Sequence, residues 1–167
     1  MTRSGFIVLL VGLGIGQPAM GQGMEGRWKL MAAEDLRADG TVGRYNWGPS
    51  PVGSIVIENG VCFFQMMAGE VPAFPKGETT TVEQMKAKLS SSYLAYSGPC
   101  TIDQTGKMTI TIAAASVPDY ASPQIRHARV AGDTLFFGPT DRVLASPPWA
   151  SVPEGQLIRR LRLERVR

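Results

Sequence analysis

The stretch from Val52 to Met67 reads VGSIVIENGVCFFQMM and decides the fold of this chain. Asn59-Gly60 lies between two apolar runs, and this dipeptide readily takes the two positive-φ conformations of a type I′ turn. The stretch therefore predicts a β-hairpin with a two-residue loop. Because strand side chains alternate between faces, one face is wholly apolar, and it carries Ile55, Ile57, Cys62, Phe64 and Met66.

The first 21 residues have the features of an export signal. Arg3 supplies a positive charge, residues 6–15 form an apolar segment too short to span a bilayer, and Ala19-Met20-Gly21 is a small-x-small cleavage site. We expect residues 1–21 to be removed near Gly21 and the mature protein to be periplasmic or secreted. No later apolar run is long enough for a transmembrane helix, so no integral membrane span is expected.

Residues 22–167 number about 145, enough for one domain with one sizeable core. The basic residues concentrate near the C-terminus, where a solvated strand face explains most of them. The chain lacks the combined aromatic and basic platform of a nucleic-acid binder, so no nucleic acid partner is expected. We expect a monomer.

Cys62 and Cys100 are the two cysteines of the chain. Cys62 shares its parity with Phe64 and Cys100 shares its parity with Ile102, so both could point into the same interior. Two interpretations stay open: two small buried apolar side chains, or a disulfide, which an oxidising compartment would preserve. A catalytic thiol is the least favoured interpretation.

Further segments alternate like strands, and one of them is a hairpin that turns at Gly132-Asp133. They cover residues 26–36, a stretch ending at Ile102, and residues 107–114, 124–137 and 157–166. In the first, the shared face carries Trp28, Leu30 and Ala32. In the last, the apolar face carries Leu157, Leu161, Leu163 and Arg165, and Arg159 breaks its pattern. The other face carries Ile158, Arg160, Arg162 and Glu164.

One helix is predicted over residues 82–91. Thr81 with Gln84, or Thr80 with Glu83, has the spacing of a capping box. One helical face carries Val82, Met85 and Leu89.

About eight strands, one short helix and hairpin turns throughout favour an all-β fold, an antiparallel up-and-down barrel, because closure removes exposed strand edges. A sandwich is the alternative. In a closed barrel the first and last strands pair antiparallel, which places Trp28 beside Arg165 as a cation–π contact at the closed end.

Several motifs follow one another along the chain: Gly26-Arg27-Trp28, Asp39-Gly40, Pro51-Val52-Gly53, Gln65-Met66-Met67, Pro72-Ala73-Phe74, the run from Tyr93 to Gly98, Gln124-x-Arg126 and Glu164-Arg165-Val166. In this order they resemble the small single-domain lipocalin-like proteins of bacteria and fungi. The resemblance implies an antiparallel barrel with a ligand cavity and little about function. Where relatives carry histidines, this chain has residues 109–112, Thr-Ile-Thr-Ile, which puts acid–base chemistry by those groups in doubt.

Arg126 is the strongest candidate for a functional polar group, because an arginine on the inward parity of its strand keeps its charge and needs a partner. Gln124 lies on the same face. Either both contact a ligand, or both reach water at the strand end or pair with Asp119 or Asp141. Tyr93 and Tyr96 are core residues or partners of Arg126, and the expected lining in either case is Phe64, Met66, Ile110 and Phe137.

His127 is the one histidine, and its parity places it outside with Arg129. Zinc needs three or four convergent ligands, which the chain does not supply. We therefore expect no metal site and no cofactor, and we assign no catalytic residue.

The favoured hypothesis is an exported binder of a small hydrophobic or amphipathic ligand, with its polar end at Arg126 and Gln124. A rival is an isomerase or cyclase that uses a single tyrosine or arginine contact. A third class is a filled-core envelope protein that binds a partner, suggested by Trp47, Trp149 and the loop at Pro147-Pro148.

Overall fold

The computed structural model describes residues 23–71, 79–149, 153 and 155–167. The predicted export signal, residues 1–21, and the motif Pro72-Ala73-Phe74 lie outside the described residues. Among the described helices, none combines the length and the apolar character that a membrane crossing requires.

The described residues form short strands joined mostly by turns and loops. The strands are β1 (Gly26–Leu36), β2 (Val42–Tyr45), β3 (Val52–Glu58), β4 (Val61–Met67), β5 (Tyr93–Ile102), β6 (Lys107–Ile110), β7 (Ala114–Ala115), β8 (Gln124–Ala131), β9 (Thr134–Gly138) and β10 (Ile158–Arg165). The helix α1 spans Val82–Ser92, and a 3₁₀ turn covers Asp141–Leu144.

Eight of these strands close into an antiparallel barrel in the order β1-β3-β4-β5-β6-β8-β9-β10, and β10 pairs with β1. β2 pairs with the C-terminal part of β1, and β7 pairs with β5. The predicted up-and-down barrel is confirmed, and the sandwich alternative is wrong. Closure gives each of the eight barrel strands a paired neighbour on both sides, so none of them is an edge strand of the sheet.

The β3–β4 hairpin has the predicted register, with Ile57 opposite Cys62 and Ile55 opposite Phe64. Asn59 and Gly60 occupy its turn with φ angles of 52° and 73°, the positive values that a type I′ turn needs. All five residues of its apolar face are buried in the larger of the two clusters of apolar side chains that the described residues form, which we call the main core. A local turn signal and a period of two were therefore enough to orient these strands.

Trp28 plugs one end of the barrel, which we call the closed end. The structure pairs Trp28 with Arg165, and the guanidinium carbon of Arg165 lies 4.1 Å from the centroid of the indole. The indole Nε1 donates to the carbonyl oxygen of Met24 at 2.8 Å. Arg165 also donates to the carbonyl oxygens of Glu25, at 2.9 Å, and Gly23. The predicted cation–π contact is present.

Cys62 and Cys100 form a disulfide near the same end of the barrel, with their Cα atoms 5.7 Å apart. It links β4 to β5, and both cysteines belong to the main core. Of the two interpretations left open by the sequence, the structure contains the disulfide.

A bulge in β1 changes the expected inward set. Leu30 pairs with Leu163 and Ala32 pairs with Arg162, so Met31 is the extra residue. Beyond it Ala33, not Ala32, joins the main core with Trp28 and Leu30. The expectation that Trp28, Leu30 and Ala32 share one face was wrong at Ala32, because one inserted residue reverses the parity of everything after it.

The start of β10 also departs from the expected alternation. Leu157 precedes the strand and is exposed, whereas Ile158 is buried outside the main core. Ile158 packs with Leu36 and Trp149 in a second cluster, with Val42 against it. The expectation that Leu157 lies on the inward face with Leu161 and Leu163 was wrong. Trp149, from the segment before β10, instead buries the strand start on the side of Ile158.

The C-terminal arginines keep part of their side chains in solvent, as expected, and also contact specific partners. Arg160 and Arg162 flank the buried carboxylate of Glu34, with nitrogen–oxygen distances of 2.7 and 3.6 Å. Arg167 pairs with Asp133. Most of the basic excess near the C-terminus is therefore part of the barrel's own cross-strand pairing.

The strand predicted over residues 107–114 ends at Ile110. The register with β5 then shifts by one residue, while Thr111 and Ala113 still donate to the carbonyl oxygens of Pro99 and Ser97, and regular pairing resumes at Ala114 opposite Ser97. Gly98 of β5 is the point of closest approach, where a Cβ would overlap the carbonyl oxygen of Thr111. The two strands come this close because glycine has no side chain there.

Helix α1 follows the expectation closely at its start. Thr81 and Gln84 form the predicted capping box. The apolar face is largely solvent-accessible, since Val82, Met85 and Leu89 are 53%, 39% and 60% exposed. The helix lies between the end of β4 and the start of β5, at the end of the barrel opposite Trp28, which we call the open end.

Candidate functional site

A cavity of about 190 Å³ lies at the open end of the barrel. Inward side chains of β4, β5, β8, β9 and β10 form its walls, and three loop residues, Trp47, Tyr120 and Pro139, complete them. The apolar part of the wall consists mainly of Phe64, Met66, Leu94, Phe137 and Leu161. The barrel is therefore packed at the Trp28 end and hollow at the other.

Most of the sequence-predicted ligand residues meet at this cavity. Those that line it are Phe64, Met66, Tyr96, Arg126 and Phe137. They come from four strands, and all except Tyr96, which was predicted as a core residue or a partner of Arg126, were predicted from the inward parity of their strands.

Three predicted ligand residues lie elsewhere in the structure. Tyr93 pairs with Met67 and lines a surface groove between α1 and residues 116–118. Ile110 is buried in the main core. The side-chain amide of Gln124 donates to the carbonyl oxygen of Ala121, and Gln124 is not among the described residues that line the cavity.

Four aromatic rings form a column along the cavity. Phe137 and Phe64 have centroids 6.1 Å apart, Phe64 and Tyr96 4.7 Å, and Tyr96 and Tyr120 5.3 Å. The interplanar angles are 21°, 21° and 28°, so neighbouring rings are nearly parallel. Tyr120 comes from the loop between β7 and β8, and no regular spacing in the sequence points to it.

Arg126 lies beside this column. Its guanidinium carbon is 5.8 Å from the centroid of Tyr96. Nη1 donates to the carbonyl oxygen of Ile125 at 2.7 Å, and Nη2 donates to the hydroxyl of Tyr120 at 3.2 Å. Within the described residues it forms no ion pair, so neither Asp119 nor Asp141 neutralises it as the sequence had allowed.

The hydroxyl of Tyr96 is buried in the wall and has no hydrogen-bond partner among the described residues. Tyr96 as a whole is 3% exposed. Burial raises its pKa to about 12, and the charge of Arg126 only partly offsets this effect. The phenol therefore stays protonated through the neutral range and can donate a hydrogen bond.

Arg159 is a second cation of the cavity wall, which the sequence analysis marked only as a break in the apolar pattern. Its Nε donates to the carboxylate of Asp35 at 3.1 Å, and Arg44 contacts the same carboxylate at 2.6 Å. Asp35 is 2% exposed, whereas both arginines reach solvent. The bulge at Met31 places Asp35 opposite Arg159.

We expect the ion pairs of Asp35 to make folding stability depend on acidic pH. Burial alone raises the pKa of Asp35, but the hydrogen bonds and charges of Arg159 and Arg44 outweigh it and hold the pKa below its usual range. A carboxylate with a lowered folded-state pKa stabilises the protein above its unfolded-state pKa, and this contribution is lost as pH falls through the folded-state value. The free energy of unfolding should therefore decrease below about pH 4.

Urea unfolding of the wild type and Asp35→Asn between pH 7 and pH 2.5 checks this expectation. The difference in unfolding free energy between the two should be largest at pH 7 and shrink on acidification. Asp39 and Asp103 also have lowered pKa values, through hydrogen bonds from Thr41 and Thr105, and they are common to both proteins. A difference that stays constant over the whole range would contradict the role of Asp35.

The cavity wall carries positive charge and no described acidic side chain. Arg126 has no described carboxylate partner, and Asp35 is shared by two arginines, so that group of three has a net positive charge. Charges within a partly dry cavity are screened less than in water. The site is therefore suited to an anionic or electron-rich group.

His127 lies away from the cavity. His127 is opposite Lys107 and Gly138 in the sheet and does not line the cavity. The described residues contain no group of three or more histidine, cysteine or acidic side chains that could hold a metal ion.

The comparisons with known proteins add the family to this geometry. Searches of curated proteins and of solved structures give no match. A family model described as a lipocalin-like domain matches residues 25–158, which include Trp28 and every barrel strand except β10, of which only Ile158 is matched. The chain therefore belongs to the lipocalin-like domain family.

Proposed function

We propose that this protein is an exported binder of a small amphipathic molecule. The ligand's apolar body contacts Phe64, Met66 and Phe137, and its polar end contacts Arg126. The observation that carries the proposal is Arg126 itself, a permanent charge in the wall of a largely apolar cavity with no described carboxylate partner. A ligand acceptor group would supply the partner that such a guanidinium lacks.

The size of the cavity limits the ligand. About 190 Å³ is below the roughly 300–1,000 Å³ of pockets that enclose drug-sized molecules. The enclosed part of the ligand is thus a compact body of one or two rings or a short chain. A longer tail would extend past Trp47 and Arg159 into solvent.

Export is part of the proposal and rests on the sequence of residues 1–21. The Cys62–Cys100 disulfide supports it, because such bonds persist in oxidising compartments and are rare in the cytosol. Native mass spectrometry of protein purified from the periplasm would test export and ligand together. The measured mass should match a chain that starts near Gln22, and it should be lower than the mass of the reduced chain by two hydrogens.

Binding is favoured over the isomerase or cyclase alternative. A reaction that needs Tyr96 as its base is disfavoured, because this phenol, with a pKa of about 12, stays protonated at neutral pH. The filled-core alternative is disfavoured by the cavity. The two tryptophans that suggested this alternative also have other roles, because Trp47 lines the cavity and Trp149 packs in the second cluster with Leu36.

Titration calorimetry with octanoate and with 2-naphthoate tests the proposed function. Both should bind at one saturable site in the wild type. Arg126→Met should weaken each by about 10-fold to 100-fold, because a hydrogen bond to a charged group contributes about 1.5–3 kcal/mol.

Arg129→Met is the matched control for this experiment. Arg129 lies three residues further along β8, and its guanidinium carbon is 4.9 Å from the centroid of Phe136, away from the cavity. Its replacement should leave affinity unchanged. The proposed function would be rejected if neither compound showed saturable binding, or if the two arginine variants had equal effects.

A further inference from the structure

The four-ring column is the part of the cavity wall that would distinguish a planar ligand from a saturated one. Rings stacked on one another present their edges, and at the ends of the column a face, to whatever lies beside them. Another aromatic ring is attracted to both, in edge-to-face or offset-stacked contact, while a saturated body gains only the area it buries. Phe64, Tyr96 and Tyr120 are all part of this wall.

Two polar groups belong to this column or lie against it, the hydroxyl of Tyr96 and the guanidinium of Arg126. Arg126 uses a single N–H from each of its terminal nitrogens for Ile125 and Tyr120, which leaves further donors of the guanidinium available. The buried hydroxyl of Tyr96 is a second available donor. Two donors, one of them permanently cationic, suit the oxygens of an anion better than a neutral hydroxyl.

We propose that the ligand is a planar aromatic or conjugated acid, bound as its anion, with its ring against the Phe64–Tyr96–Tyr120 column and its anionic oxygens between the Arg126 guanidinium and the Tyr96 hydroxyl. This inference rests on the proposed function and names the class of ligand for the same site.

The charge of the wall selects the anion over other amphipathic molecules. A cationic or zwitterionic ligand would bring its positive group next to Arg126 and Arg159. No described carboxylate of the wall could balance that group, and the nearby carboxylate of Asp35 already contacts Arg159 and Arg44. A free inorganic anion would leave the apolar surfaces of Phe64, Met66 and Leu161 in contact with water. Only a ligand with an apolar body and an acidic group complements both parts of the cavity.

Three compounds that differ in one property at a time test this inference by titration calorimetry at pH 7. They are 2-naphthoate, 2-naphthylmethanol, which has the same rings without the charge, and decalin-2-carboxylate, which has the acid without planarity. 2-Naphthoate should bind at least about tenfold tighter than the neutral alcohol. It should also bind several-fold tighter than the saturated acid.

Tyr96→Phe separates the hydroxyl from the ring, because phenylalanine keeps the stacked contact and removes only the donor. It should reduce the preference for 2-naphthoate over 2-naphthylmethanol by about tenfold while leaving the affinity for the alcohol unchanged. Tyr120→Phe, which removes the hydroxyl that accepts the Arg126 hydrogen bond, is the matched control. It should leave the preference for the anion in place, since Arg126 and Tyr96 both remain.

The outcomes distinguish this inference from the proposed function. Equal affinity for the acid and the alcohol would overturn the anion, and equal or tighter binding of decalin-2-carboxylate or octanoate would overturn the planar ring, with the binding function intact in both cases. Loss of the preference for the anion in Tyr120→Phe but not in Tyr96→Phe would overturn the assignment of the Tyr96 hydroxyl. If none of the compounds bound, the proposed function itself would fail.

Discussion

Replacing Trp28 with alanine is expected to lower the free energy of unfolding by about 3–5 kcal/mol. The indole is fully buried at the centre of the closed end, and its removal would leave a cavity that the barrel cannot readily collapse around. The variant would also lose the hydrogen bond to Met24 and the contact with Arg165. Against a typical total of about 5–15 kcal/mol, this loss should be visible as a large shift of the urea midpoint followed by circular dichroism.

Trp47→Ala is the matched control, because it makes the same chemical change at the opposite end of the barrel. Trp47 is only half-buried and lies in the wall of the cavity, so its loss should cost about 1 kcal/mol. Its main effect should be on ligand affinity. Equal destabilisation by the two variants would show that the Trp28 end is not the more tightly packed end.

Removing the disulfide is expected to cost a similar amount. Cys62 and Cys100 are 38 residues apart in sequence, and cross-linking a loop of this length restricts the unfolded chain by about 4 kcal/mol in the loop-entropy description. The double variant Cys62→Ala/Cys100→Ala should therefore unfold at a much lower urea concentration than the oxidised wild type. Reduction of the wild type with dithiothreitol should shift its midpoint in the same direction.

The two ways of breaking the bond control for each other. Dithiothreitol should have no effect on the double variant, which has no disulfide to reduce. A wild-type midpoint that is insensitive to dithiothreitol, together with a mass equal to that of the fully reduced chain, would contradict the pairing of Cys62 with Cys100. Unchanged stability of the double variant would instead show that the bond forms without stabilising the fold.

Much of the candidate site could be predicted because it depends on strand parity. Phe64 and Met66 share a parity in β4, Arg126 has the inward parity of β8, and all three line the cavity. Tyr120 and Trp47 could not be found in this way, because loop residues have no period and their positions depend on how the barrel closes beneath them. Gln124 has the inward parity too, but its amide bonds locally to Ala121, a choice of rotamer that parity does not describe.

Arg159 and Asp35 show the boundary between the two kinds of information. The sequence marked Arg159 as an irregularity but gave it no partner, and nothing near Asp35 distinguishes it from an exposed acid. Their pairing requires the bulge at Met31, which shifts the register between β1 and β10 by one residue. These strands are more than 120 residues apart in the chain, so no local pattern contains the bulge.

By itself, the sequence determined the hairpin at Asn59-Gly60, the capped helix, the closed antiparallel barrel and the contact of Trp28 with Arg165. These features follow from turn chemistry, from the strand period of two and from the antiparallel closure that they imply, all of which are local or follow from topology. Only the tertiary structure decided where the barrel is hollow and which loop residues complete its wall. It also decided that Arg126 has no carboxylate partner among the described residues. Those outcomes depend on distances between segments remote in sequence, and one bulge is enough to exchange an inward residue for an outward one.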